Sequence, residues 1–309
     1  MFRVLVSDKI AKEGLAPLLE SDQITVVEKN VSEVDDLDSY HALLVRSATK
    51  VTAEVMSKMP QLKIIGRAGV GVDNIDVPAA TERGIVVVNA PDGNTIATAE
   101  HTFALMLAMV RKLCLANASI RRGEWNRSAF MGSELYGKTL GVIGFGRIGQ
   151  EVARRAKAFE MNVLAYSRSI TPEKAAAAGA QASTLEEILA KADIITVHTP
   201  ATAETKGMLG EENLKKTKPG VMIINAARGG IVDEEALKRF LDSGHVAAAA
   251  LDVFVQEPPA NYELMQMEQV TATPHIAAST KEAQLKVAQV VAEEVLNFAL
   301  GRPVKNRVN

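Results

Sequence analysis

Short runs of β-branched and other apolar residues recur along nearly the whole chain, separated by stretches long enough for helices. In the first third the runs are Arg3–Val6, Ile24–Val27, Ala42–Val45, Lys63–Ile65 and Ile85–Val88. Beyond them come Thr139–Ile143, Asn162–Tyr166, Ile194–His198, Val221–Asn225, Ala248–Val253 and Val270–Thr273. The runs are continuous rather than alternating, as expected for strands buried on both faces of a parallel sheet built from βαβ units. Eleven such runs exceed what one open sheet comfortably holds, so the pattern predicts an α/β chain of two doubly wound parallel-sheet domains.

A single long helix is predicted from about Thr95 to Ala118. It is apolar over more than one face, through Leu105, Leu107, Met109 and Leu113 among others, which points to burial between domains or against a second subunit. Thr171-Pro172-Glu173 is a helix start, with a capping hydroxyl, a proline in the first turn and a carboxylate at the positive end of the dipole. Further helices are expected over Gln150–Phe159 and Glu282–Leu300.

Composition narrows the function classes. The chain has 309 residues, a formal charge of −2 and an aromatic content of 4%, so it has neither a basic footprint for nucleic acid or an anionic membrane nor the aromatic surface of a single-strand reader. Its one cysteine, Cys114, forms no intrachain disulfide and no zinc site, which suits a reducing compartment; no metal site is expected. The N-terminal stretch Met1–Asp8 is a short apolar run that reaches a charge too soon for a signal peptide, and the apolar window Phe103–Val110 is far shorter than the roughly 18 residues of a membrane span. A cytoplasmic location is the expectation.

The strongest local signal is Gly144-Phe145-Gly146-Arg147-Ile148-Gly149, placed between the run Thr139–Ile143 and a helix. In that setting Gly144 permits a tight turn, Gly146 lets the main chain approach a diphosphate, and Gly149 allows close packing of helix on strand. The helix N-terminus then offers amide hydrogens and a positive dipole to a dinucleotide. The next strand should end in an acid for the ribose hydroxyls of NAD, but Ser167 stands there, with Arg168 beside it. Serine does not repel a 2′-phosphate and arginine pairs with one, so NAD and NADP both remain open.

Among the histidines, His41 and His245 read as surface or packing residues, and His101 as a helix residue satisfied by a neighbour. His198 and His275 each follow a predicted strand end, where ligands of open α/β sheets gather. His198 suits lining a cofactor, whereas His275 is flanked by small residues that leave room for a nicotinamide ring. Oxidation of an alcohol needs a base near neutrality and a cation for the substrate anion. Glu257, before a proline pair, is a candidate partner for His275, and Arg228, after another strand end, has the planar fork that grips a carboxylate.

Taken in order, Val45-Arg46-Ser47-Ala48-Thr49, Gly66–Asn74, Asn89–Thr95, Asn225–Asp233, Ala250–Phe254 and Thr273-Pro274-His275 resemble the D-isomer-specific 2-hydroxyacid dehydrogenase family over essentially the whole chain. The resemblance implies a Rossmann nucleotide domain over 95–278 and a flavodoxin-like substrate domain made of 1–94 and 279–309, with a cleft between them. It implies that Arg228, Glu257 and His275 are the substrate arginine, the paired acid and the general base. Arg147, Ile148, Thr199, Ala226, Asp252, Ala277 and Ala278 fall at its dinucleotide-holding positions, with Val70 a further cofactor contact. Arg46, Arg67 and Asn94, together with Arg228 and His275, fall at positions that meet a small anionic substrate, and Arg127 at one that reaches across a homodimer. The loops are most similar to those of members that oxidise 3-phospho-D-glycerate to 3-phosphohydroxypyruvate, with NAD(P)H-dependent reductases of hydroxypyruvate or glyoxylate as the alternative. A non-catalytic, NADH-sensing role, known for some chains of this fold, is disfavoured by the complete acid, base and arginine set. The chain stops at Asn309, which leads to the expectation that no regulatory domain follows.

Overall fold

A computed structural model describes residues 1–309, and the chain divides into two compact units, Met1–Asn94 with Ala278–Asn309, and Thr95–Ala277. The second division falls one residue before the expected boundary, so Ala278 belongs to the first unit.

The first unit holds a parallel sheet of β1 (Phe2–Val6), β2 (Ile24–Glu28), β3 (Ala42–Val45), β4 (Ile64–Arg67) and β5 (Val86–Asn89), in the order β2-β1-β3-β4-β5. Successive side chains of a strand leave on opposite faces, so each strand feeds two cores. Val4, Val6, Leu44, Ile64 and Val88 pack with Val287, Val291 and Val295 of the helix Lys281–Ala299. Leu5, Leu43, Val45, Ile65 and Val87 pack with Met56 and Met59 on the other side. Burial on both faces is why the runs read as continuous.

The second unit holds a parallel sheet of seven strands, β6 (Thr139–Ile143), β7 (Asn162–Tyr166), β8 (Gln181–Ala182), β9 (Ile194–Val197), β10 (Val221–Asn225), β11 (Val246–Leu251) and β12 (Val270–Ala272). The order β12-β11-β10-β9-β6-β7-β8 reverses direction between β6 and β9, and the glycine loop stands at that switch. Ligands of open α/β sheets bind beyond the carboxyl ends at such a point. The eleven predicted strands all form; β8 is additional, and its two residues are too few to produce a pattern.

One expected element is corrected. The helix beginning at Thr95 stops at Val110, and a second helix, Leu113–Arg121, leaves it at an angle of 64°. Arg111 and Lys112 are both exposed, and Lys112 adopts a left-handed conformation (φ 49°) that ends the first helix at this charged pair. Burial is correspondingly confined to the first segment, where Phe103, Leu105, Met106 and Met109 join the core over β6 and β7, while the second buries only Ser119. No single helix is long and apolar enough to cross a membrane.

Candidate active site

Three neighbouring strands deliver the candidate catalytic residues to one edge of the seven-stranded sheet. Asn225, Leu251 and Ala272 are in register across β10, β11 and β12. Arg228 lies three residues beyond β10, Asp252 directly after β11, and His275 three residues beyond β12. The Asn225 amide holds the first turn: its nitrogen donates to the Arg228 carbonyl at 2.9 Å and its oxygen accepts the Ala227 N–H at 3.1 Å. Gly229 lies so close to the Phe254 carbonyl that a Cβ would collide with it, which brings the arginine turn against the segment leading to Glu257.

Glu257 and His275 form a pair. Glu257 Oε2 lies 2.6 Å from His275 Nδ1, and Oε1 accepts the Phe254 N–H at 3.1 Å. Burial pushes the Glu257 carboxyl upward, but the His275 and Phe254 hydrogen bonds outweigh it and hold the group below the usual carboxylate range. An ionised carboxylate only accepts, so Nδ1 carries the ring proton and Nε2 of a neutral His275 is left with a lone pair. That is the tautomer a general base needs. Beside the pair, Phe254, Pro258, Tyr262 and Met265 line a largely apolar pocket of about 490 Å³.

Asp252 supports the histidine from below. Its side chain is fully buried, Oδ1 accepts the Ile276 N–H and Oδ2 the Ala277 N–H, each at 2.8 Å, and its main-chain carbonyl accepts the His275 N–H at 2.8 Å. Thr273 Oγ1 donates to Oδ1 at 2.6 Å. Burial raises this carboxyl, yet the donors, with His101 first among them, hold it below its ordinary value. The anchoring matters because His275 has φ 52°, a left-handed backbone that a non-glycine residue adopts only at a cost.

The glycine loop has the geometry of a diphosphate cradle. Gly144 has φ 97° and packs against the His198 main chain and Thr199, while a Cβ at Gly149 would collide with the Gly144 carbonyl. Gly146 precedes the twelve-residue helix Arg147–Ala158 and has open space where a Cβ would stand. The helix thus begins three residues earlier than expected, which puts Gly149 inside its first turn. Facing this loop, Thr199 has a buried hydroxyl without a protein partner, and so does Nδ1 of His198. Buried polar atoms are seldom left unmet. A dinucleotide fits these residues. At the end of β7, Ser167 is half-buried and Arg168 exposed, with its charge lowering the Glu204 carboxyl after that group's own hydrogen bonds.

The remaining candidates are spread over the chain. Ala226 and Ala277 are buried in the second unit, next to the turns carrying Arg228 and His275. Arg127, also in that unit, is exposed just before the short 3₁₀ turn Ser128–Phe130. Arg46, Arg67, Val70, Asn94 and Ala278 belong to the first unit. There the Arg46 turn is braced from beneath: Asp8 Oδ2 accepts the Arg46 N–H at 2.6 Å, and Asn74 donates to the Arg46 carbonyl at 2.7 Å. Arg67 closes β4, the Val70 carbonyl accepts from Asn89 at 2.6 Å, and Asn94 Oδ1 is buried without a partner. The residue that sequence reasoning set aside is His101, whose ring stands against Thr273 and Asp252. Its place on a buried helix face was readable, but the carboxylate it meets lies about 150 residues away in sequence.

Comparison with known proteins accords with this geometry. Residues 103–277 match the family described as D-isomer specific 2-hydroxyacid dehydrogenase, NAD binding domain. A D-3-phosphoglycerate dehydrogenase of Bacillus subtilis is 58% identical over 100% of this chain and 59% of its own length. One from Archaeoglobus fulgidus is 52% identical over 99% of this chain and 59% of its own. The chain therefore spans about 59% of the length of these relatives. Among solved structures, the TT0316 protein of Thermus thermophilus superposes with a TM-score of 0.90 at 36% identity, all of both chains being covered. An NADPH-dependent glyoxylate/hydroxypyruvate reductase of Sinorhizobium meliloti, in complex with NADP and malonate, superposes with a TM-score of 0.87 at 31% identity over 99% of this chain and 96% of its own.

Proposed function

The chain belongs to the D-isomer-specific 2-hydroxyacid dehydrogenase family, and on that premise we propose that it oxidises 3-phospho-D-glycerate to 3-phosphohydroxypyruvate, the entry to serine synthesis. The observation that carries this reading is the His275–Glu257 pair, 2.6 Å apart on the sheet edge that also bears Arg228. Arg228 grips the substrate carboxylate with its planar fork. His275 takes the hydroxyl proton at Nε2, and Glu257, on the far side of the ring, stabilises the imidazolium that forms. A bound nicotinamide dinucleotide supplies the hydride acceptor. The residues to hold it are the glycine loop, Ser167, Arg168, Thr199, Ala226, Asp252 and Ala277, with Val70 and Ala278 of the first unit. Arg46, Arg67 and Asn94 meet the remaining anionic groups of the substrate, the phosphate among them. The working form is a cytoplasmic homodimer, with Arg127 serving across it.

A second reading has a specific observation in its favour. Ser167 and Arg168 replace the acid that would exclude a 2′-phosphate, and the Sinorhizobium meliloti reductase is described with NADP bound. On this reading the chain reduces hydroxypyruvate or glyoxylate. Steady-state kinetics with the phosphorylated and unphosphorylated acids, each paired with NAD(H) and NADP(H), separates the two. The expected result is the highest kcat/KM with the phosphorylated pair; preference for the unphosphorylated keto acids would overturn the first reading. In the same assay His275→Ala should lower kcat by on the order of 10²- to 10⁴-fold while the dinucleotide Kd stays within about twofold.

A further inference from the structure

The helix Thr95–Val110 supplies no residue to the reaction proposed above, yet it sends one ring to the sheet edge beneath it. His101 is 17% exposed, and its Nε2 lies 3.1 Å from Thr273 Oγ1 and 3.4 Å from Asp252 Oδ1. Thr273 has one hydroxyl proton, and it is directed at Asp252 Oδ1 over 2.6 Å. Asp252 is held in its ionised form and can only accept. The threonine oxygen therefore presents a lone pair to the ring, so the proton between them must sit on His101 Nε2. The result is a directed relay, His101 to Thr273 to Asp252, ending on a carboxylate that also receives the Ile276 and Ala277 amides.

Thr273, Ile276 and Ala277 all come from the strand end that the carboxylate organises. His101 comes from a helix 172 residues away from Thr273 and holds the assembly against a separate element. The same Asp252 carries the left-handed His275 on its main-chain carbonyl. We propose that His101 is a positioning residue: its Nε2–H fixes Thr273 and Asp252, and through them the segment His275–Ala277 that presents the base. The proposal rests on the reading of His275 as that base.

Two substitutions at His101 and one at Thr273 test it. His101→Leu keeps the volume and the helix propensity but removes the donor, whereas His101→Gln retains an N–H near the position of Nε2. The leucine variant should lose roughly three- to tenfold in kcat, the worth of one ordinary hydrogen bond. Its Ile276 and Ala277 amides should exchange with deuterium faster by a similar factor, while amides elsewhere in the Thr95–Val110 helix keep their protection. The glutamine variant should recover both properties. Thr273→Val removes the relay at its midpoint and leaves only the 3.4 Å approach of His101 to Asp252, so adding His101→Leu to it should cost less than His101→Leu costs alone. Leucine and wild type behaving alike, leucine and glutamine equally impaired, or full additivity with Thr273→Val would each overturn the proposal. Absence of turnover by the wild type with any 2-hydroxy acid would refute the dehydrogenase reading instead, and the exchange at Ile276 and Ala277 would still decide the role of His101 in holding the loop.

Discussion

At His198 a strand end meets the glycine loop, and the residue is half-buried with its Nδ1 out of contact with solvent. Burial lowers the imidazole from its ordinary 6.5 to about 4, with Nε2 on Thr196 Oγ1 at 2.9 Å and Nδ1 left without a protein partner. As pH falls between about 6.5 and 4, the unfolded chain takes up a proton that the folded chain refuses. Stability should therefore drop over this window, by as much as ~3 kcal/mol at its lower end. Urea titrations at stepped pH would show it, and His198→Gln should flatten that part of the curve; an unchanged acid limb would mean the ring still reaches solvent. Single residues of this kind were only partly legible. Arg228, His275 and the three glycines stand after strands, and that position, together with the glycine spacing and the chemistry of the two side chains, singled them out. Glu257 was already a candidate partner for His275 from its place before a proline pair, whereas Asp252 meets His101, a partner distant in sequence, and no local pattern encodes that meeting.

Elements were easier to read than the breaks between them. The strands announced themselves because both of their faces are buried. Thr171 was visible as a cap, and its hydroxyl does accept the Lys174 N–H at 3.2 Å. The turn at Lys112 was not visible, because lysine is a good helix former and its left-handed backbone runs against its own preference. That mismatch has a measurable consequence. Lys112→Gly should stabilise the protein by about 1 kcal/mol, since glycine enters the left-handed region freely and is not being placed in a helix interior. Chemical denaturation of the two proteins would detect the gain, and a loss of similar size would show that the lysine side chain itself secures the turn.

On the scale of the molecule, hydrophobic spacing revealed two sheets but not which of them the last helix covers. Val287, Val291 and Val295 recur every fourth residue and would suit either core; they lie with Val4, Leu44 and Ile64 of the first unit. The family resemblance, not periodicity, supplied that assignment. The pairing continues past the helix, where the Val308 N–H reaches the Val87 carbonyl at 2.8 Å and Asn309 bonds to Val87 and Ile85.

This arrangement imposes a timetable on synthesis. A nascent chain leaving the ribosome exposes β1 to β5 long before residues 281–299 exist, so one face of that sheet must wait only partly covered, by Leu15 and Leu18, whereas Thr95–Ala277 emerges as one uninterrupted stretch. Residues 95–277 should accordingly become protease-resistant before residues 1–94 do, and stalling translation near residue 280 should leave residues 1–94 digestible. Early protection of residues 1–94 in such arrested chains would show that the five strands manage without the helix Lys281–Ala299.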